Sequence, residues 1–404
     1  MSSDTNHPVS HHLLAGRFAA RVDDIEPFRV MELLARAKQL EQEGRDVIHM
    51  EIGEPDFQTA APIILAGQQA LNDGKTQYTQ ALGIPELRQA ISDWYRHRYG
   101  LAISPQRIVI TPGGSGALLL LSALLVNAGE HLLLADPGYP CNRHFLRLVE
   151  GSGVLIPTGP DTRYQLSAEL VKKHWTTKTR GALVASPANP TGEILEKNDL
   201  LALAEICRKQ KGVLIVDEIY HGLTYDQPAS SVLEVADDAY VINSFSKYFG
   251  MTGWRIGWMV APESAISSIE KLAQNFYISV PTISQYAALA AFSPEAVAIH
   301  EERREAFARR RDYLIKALRE LGFIIPHTPD GAFYLYADVS ALCNDSRKFC
   351  HDLLEEEAVA VTPGEDFGHY RADQHVRFAY TTDISRLTEA VVRIQRFIAR
   401  QSNR

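Results

Sequence analysis

Between about residue 105 and residue 260, short runs of Val, Ile and Leu recur, each closed by a glycine, a proline or a polar cluster. The runs are RIVITPG, HLLLADPG, GALVASPANP, GVLIVDE, AYVINSFSK and RIGWMVAP. Consecutive rather than alternating apolar positions fit strands buried on both faces of a mostly parallel sheet, with helical patterns between them. After Pro294 the pattern becomes a long charged stretch, EAVAIHEERREAFARRRDYLIKALRELG, which predicts an amphipathic helix whose Glu and Arg residues form a solvated face. AFYLYADVS and HVRFAYTT then predict strands, and DSRKFCHDLLEEEAV and ISRLTEAVVRIQRFIARQ predict helices. A smaller α/β domain therefore closes the chain, and the early helix VMELLARAKQLEQEG is expected to pack on it. The expected division is a large domain over 55–295, a small C-terminal domain over 296–404, and an N-terminal segment, 1–54, that joins the small domain.

Composition narrows the class. With 404 residues, 46% of them hydrophobic and 22% charged, the chain is long enough for two packed cores. A formal charge of -8 without a long basic run argues against a nucleic-acid surface and for a small-molecule partner. Cys141, Cys207, Cys343 and Cys350 form no CxxC pair, so neither a zinc site nor a disulfide framework is expected. The N-terminus lacks a signal-peptide pattern, and no stretch is long enough to span a bilayer; a cytoplasmic protein without membrane partners is expected. His7, His11 and His12 lie in a short polar tail and are not read as a metal site.

In parallel sheets, ligands sit beyond the carboxyl ends of the strands, and the polar clusters here follow the apolar runs directly. In SFSKYFGMTGWRIGW, Lys247 follows a greasy strand, where an amine held out of bulk water becomes a nucleophile toward a carbonyl. Ser244, Ser246 and Arg255 supply hydroxyl and guanidinium donors suited to a phosphate. In TPGGSGALLLL, Gly113 and Gly114 permit a sharp turn and Ser115 opens a helix whose free amides attract an anion. Such a turn is a packing solution as often as a phosphate site, and its spacing matches neither GxGxxG nor the Walker loop. VLIVDEIYHG buries Asp217 three residues before Tyr220; a strand-end Asp can simply cap a turn, but a buried carboxylate asks for a cationic partner. SPANPTG places Asn189 in a loop after another strand, as a turn residue or as an amide donor. A carbonyl for Lys247, a phosphate for the two cradles, a ring nitrogen for Asp217 and a phenolic oxygen for Tyr220 and Asn189 together describe pyridoxal 5'-phosphate.

The ordered motifs EIGEPDF, YTQALGIPELR, PGGSGAL, DPGYP, SPANPTG, VDEIYHG, SFSKYFGMTGWRIG and VRFAYT resemble those of the fold-type I pyridoxal-phosphate enzymes, specifically the class I/II aminotransferases. The resemblance implies a seven-stranded, mostly parallel sheet flanked by helices in a large cofactor-binding domain. It implies that Lys247 is the Schiff-base lysine and the base for the substrate Cα proton, and that Asp217 partners the pyridinium nitrogen. Tyr220 and Asn189 would bind the ring hydroxyl, and Tyr139 would stack on the ring. Gly114, Ser115, Gly116, Ser244, Ser246 and Arg255 would hold the phosphate. Tyr78 resembles the tyrosine that reaches the neighbouring subunit's phosphate, which implies a homodimer with shared sites. Arg377 resembles the arginine that grips the substrate α-carboxylate, with Gly53 and Asn189 beside it.

The implied reaction moves an amino group from an L-amino acid to a 2-oxo acid, 2-oxoglutarate or pyruvate, by a ping-pong scheme. Some aspartate-using members carry lysine where Ser115 stands, and others bring an arginine near NFYISVPT. Neither cation is evident here. With Phe28, Val30, Met31 and Tyr139 expected nearby, neutral or apolar donors are expected to be favoured over aspartate, unless Arg29 enters the pocket. A carbon–sulfur β-lyase or aminocyclopropane-carboxylate-forming lyase on the same fold is the alternative, ahead of a dedicated aspartate enzyme or a cofactor-sensing regulator.

Overall fold

The computed structural model describes residues 18–27 and 29–401; the His7, His11, His12 and Phe28 readings lie outside the described residues. The strands in chain order are β1 (Ile48–His49), β2 (Ile108–Thr111), β3 (His131–Asp136), β4 (Ser152–Pro157), β5 (Thr179–Ala185) and β6 (Val213–Asp217). They continue with β7 (Tyr240–Ser244), β8 (Gly257–Val260), β9 (Tyr334–Asp338), β10 (Val359–Ala360), β11 (Thr362–Pro363) and β12 (His375–Ala379). Seven of them form one sheet in the order β2-β8-β7-β6-β5-β3-β4, in which only β8 runs against its neighbours.

The consecutive apolar residues of each run serve two cores. Ile108, Ile110, Leu133, Leu214, Val216 and Val241 join one cluster, while Val109, Leu132, Leu134, Ile215, Ile242 and Met259 join the other. Strand pleating sends alternate residues to opposite faces, so both faces are covered and the runs read as continuously apolar. The carboxyl ends Thr111, Asp136, Ala185, Asp217 and Ser244 consequently share one edge. Because β8 is reversed, its first residue, Gly257, lies on that same edge, paired with both Thr111 and Ser244.

The two ends of the chain meet beside this edge. β1 pairs in parallel with β10, and β11-β12-β9 form a separate antiparallel sheet. Helix α1 (Arg29–Gln42) buries Val30, Ala37 and Leu40, the last two against Leu354, Ala358 and Ala360, and Arg36 grips Glu355 through Nε and Nη2 at 2.5 and 2.8 Å. Two helices, α2 (Ala61–Asn72) and α3 (Pro85–Tyr99), follow, and α4 (Gly113–Leu125) starts directly after β2.

The charged helix spans Pro294–Glu320, but its face is not solvated throughout. Arg310 and Arg311 are buried, Arg310 in a two-pronged pair with Asp56 (2.8 and 2.9 Å) and Arg311 with Asp226 (2.8 Å). These partners lie far away in sequence, where a local charge pattern cannot reveal them. No described helix is long and apolar enough to cross a membrane, and the four cysteines are free thiols.

Candidate active site

The edge carries an anion cradle assembled from three elements. Gly113 opens α4 with φ +70°, and a Cβ there would stand 2.7 Å from Arg255 Nη2, so glycine is required for the close approach of the guanidinium. The amides of the first turn of α4 have no intrahelical partners, and the helix dipole makes that end attractive to an anion. From β7, the Ser244 hydroxyl donates to Ser246 Oγ at 2.9 Å and accepts the Ser246 amide at 3.0 Å, which folds the chain back on itself just before Lys247. Arg255, with φ +51°, donates through Nη1 to the Thr252 carbonyl at 2.9 Å and precedes the reversed strand β8.

Beside the cradle stand Asp217 and Lys247. Burial pushes the Asp217 carboxyl up to about 7, and only the Ile219 amide, at 3.1 Å, and the charge of Lys247 draw it down. The adjacent acid of the same motif, Glu218, turns away to Ser231 and the Val232 amide and is pushed up to about 8 by its burial. The Lys247 ammonium donates to the Gly53 carbonyl at 2.6 Å. Burial lowers its pKa to about 8; Glu54 holds it up, while Arg377 and Arg255 push it down. An amine titrating near 8 can exchange a proton at neutral pH.

Arg377, on β12, closes the other side. It is 2% exposed, and its guanidinium lies between two rings, 4.3 Å from the Tyr334 centroid and 4.7 Å from that of Phe367. Nη1 donates to Asn189 Oδ1 at 2.9 Å and Nη2 to the Glu51 carbonyl, while the buried Nε has no partner among the described residues. A buried guanidinium with an unmade donor suits a carboxylate. Because Asn189 Oδ1 faces Arg377, the Asn189 amide NH2 remains a donor on its other side.

Gly53, Gly114, Ser115, Tyr139, Asn189, Asp217, Tyr220, Ser244, Ser246, Lys247, Arg255 and Arg377 all line one cavity of about 460 Å³. Two expected residues do not. Gly116 lies inside α4, where a Cβ would press on the Pro112 ring at 2.5 Å, so its glycine serves helix packing. Tyr78 lies outside this cavity and is 78% exposed. Val30 and Met31 line the cavity as expected, joined by Leu34, Ile52 and Leu118, whereas Arg29 is not among the lining residues and gives its backbone amide to Asp366 at 3.0 Å.

Among the lining residues that went unread in the sequence, three carry polar side-chain groups: Glu54, Thr252 and Tyr334. The Thr252 hydroxyl donates to Glu54, joining the loop after Lys247 to the segment that holds the lysine's acceptor. Tyr334 lies in a strand, where an aromatic residue ordinarily signals core. A cavity that offers a buried acid, a low-pKa amine, an anion cradle and an amide donor fits pyridoxal phosphate in every functional group.

The family model described as aminotransferase class I and II matches residues 45–394. The chain belongs to this family. Its members depend on pyridoxal phosphate, and the chain is an aminotransferase of fold-type I. The aminotransferase is 38% identical to the valine–pyruvate aminotransferase of Mycobacterium tuberculosis over 93% of this chain and 97% of that protein. It is also 32% identical to the aspartate aminotransferase of Bacillus subtilis, over 96% and 100%. The crystal structure of an aminotransferase from Mycobacterium tuberculosis superposes with a TM-score of 0.92 at 38% identity, covering 95% of this chain and 99% of that one.

Proposed function

We propose that this aminotransferase takes its amino group from neutral or apolar L-amino acids and passes it to a 2-oxo acid, 2-oxoglutarate or pyruvate, in a ping-pong reaction. One observation carries the donor preference: the cationic side chains lining the cavity among the described residues are Lys247, Arg255 and Arg377, and each already has a task. Val30, Met31, Leu34, Ile52 and Leu118 give the cavity an apolar wall, and Glu54 adds an acid to the lining rather than a further cation. An unpaired side-chain carboxylate buried there costs on the order of 1–3 kcal/mol or more. Relatives named for valine and for aspartate have comparable identity, so kinship alone does not choose between them.

In this reading, residues 55–295 form the cofactor-binding domain and 296–404 a small domain that the N-terminal segment joins, and Val30, Gly53, Tyr334 and Arg377 from these latter parts face the substrate. Bound in the cavity, the cofactor supplies an electron sink next to the substrate Cα. Arg377 holds the α-carboxylate and thereby fixes which Cα substituent faces Lys247. Lys247 takes the Cα proton and returns it one atom away, a shuttle suited to an amine titrating near 8. Asp217 stabilises positive charge on the ring nitrogen, Tyr220 and Asn189 donate to the ring oxygen, and Tyr139 covers the ring. Gly114, Ser115, Ser244, Ser246 and Arg255 hold the phosphate.

A panel of donors against 2-oxoglutarate and pyruvate tests the substrate reading. Alanine, valine, methionine or an aromatic amino acid should equal or exceed aspartate in kcat/KM. Aspartate ahead of every neutral donor by more than about tenfold, roughly 1.4 kcal/mol, would overturn it. Ammonia and pyruvate released from a thioether amino acid, without a new amino acid, would favour the lyase instead.

The exposed Tyr78 supports a homodimer in which each subunit completes its neighbour's phosphate site. Mixing Tyr78→Phe with Lys247→Ala protein should produce hybrids carrying one intact site, with activity above both parents. A mixture no better than the parental average would sink the shared-site reading.

A further inference from the structure

One side chain touches both halves of the site. Tyr334 is 1% exposed, and its hydroxyl lies 2.8 Å from the Tyr220 hydroxyl while its ring lies 4.3 Å beneath the Arg377 guanidinium. A Cβ on Gly53 would stand 1.9 Å from Tyr334 Oη, so glycine at 53 makes room for this hydroxyl as well as presenting its carbonyl to Lys247. The two phenols meet edge to face, with centroids 5.7 Å apart and planes at 79°. Burial raises both phenol pKa values, so both keep their protons at neutral pH. Of two protonated phenols sharing one hydrogen bond, one donates and the other has its proton free. Both phenols line the cavity, but Tyr334 Oη is packed against Gly53 and its ring against Arg377, whereas Lys247 Nζ stands 5.8 Å from the Tyr220 ring centroid, so Tyr220 is the one placed to use a free proton beside the lysine.

We propose that Tyr334 is a positioning residue for both binding events: its hydroxyl donates to Tyr220 Oη and so directs the Tyr220 proton toward the cofactor's ring oxygen, and its ring is the floor that holds Arg377 against the substrate carboxylate. This rests on the function proposed above. A donor to the ring oxygen stabilises negative charge there and lowers the pH at which the bound cofactor's visible band titrates. Losing the direction given by Tyr334 must raise that midpoint.

The test uses cofactor-loaded protein and a spectroscopic pH titration. Tyr334→Phe should raise the midpoint by about half a unit or more, Tyr220→Phe by at least as much, and the double variant no further than Tyr220→Phe alone, since both act through one proton. Tyr334→Phe, which keeps the ring, should leave the KM for the amino donor within about threefold, whereas Tyr334→Leu should raise it about tenfold. An unchanged midpoint in Tyr334→Phe, or additive shifts in the double variant, would overturn the role of Tyr334. Wild-type protein whose visible band does not titrate and is not fixed to Lys247 by borohydride would instead overturn the proposed function, and this role with it.

Discussion

Lys247→Ala should lower kcat/KM for transamination by about ten-thousandfold or more, because the nucleophile and the proton carrier are the same group. The cradle of Ser244, Ser246, Arg255 and the α4 N-terminus does not depend on the amine, so the variant should still bind the cofactor, more weakly. Absorbance and steady-state kinetics on the purified variant check both halves, and near-normal turnover would refute the assignment. In wild-type protein freed of cofactor, the neutral amine is the reactive form. Its pKa of about 8 predicts that cofactor capture accelerates as pH rises through 8 and levels off above it. Borohydride reduction of loaded protein should bleach the visible band and leave the mass label on Lys247 and no other lysine.

Arg377→Lys should cost about a hundredfold in kcat/KM, roughly 2.7 kcal/mol, and by a similar factor for every donor. The guanidinium holds Asn189 Oδ1 and the Glu51 carbonyl while lying flat between Tyr334 and Phe367. An ammonium cannot keep those acceptors, fill the slot between the rings and present a fork to a carboxylate at once. Each buried acceptor left unpaired costs about 1–3 kcal/mol. Because the α-carboxylate is common to all amino acids, the loss should be uniform across a donor panel. A loss confined to aspartate and glutamate would show that Arg377 reads the side chain instead.

What the sequence revealed follows from how local each signal is. Lys247, Asp217 and the Gly113–Ser115 turn sit at the ends of apolar strands, where a few neighbouring residues define the chemistry. Arg377 became readable only through family resemblance, since a charge on a strand looks like an edge residue until the packing of two aromatic rings around it is known. Tyr334 went unread for the opposite reason: nothing distinguishes an aromatic core position from one whose hydroxyl meets Tyr220. The strand β4 went unread because it is a half-exposed edge with a short apolar run. Arg310 and Arg311 were taken for solvent-facing charges because their partners, Asp56 and Asp226, are remote in the chain. The gap is one of long-range contact, which periodicity and local composition do not encode.

The pairing of β1 with β10 also sets an order in time. Every cradle residue, from Gly114 to Arg255, has been made once the ribosome passes β8, but the contact between Glu51 and Arg377 spans 326 positions. On the proposed function, the pocket for the cofactor is thus written in the middle of the gene, and the grip on the substrate exists only when the segment around Glu51 and the late strand β12 come together. A chain cut short before β12 retains the cradle's residues and lacks the means to recognise an amino acid.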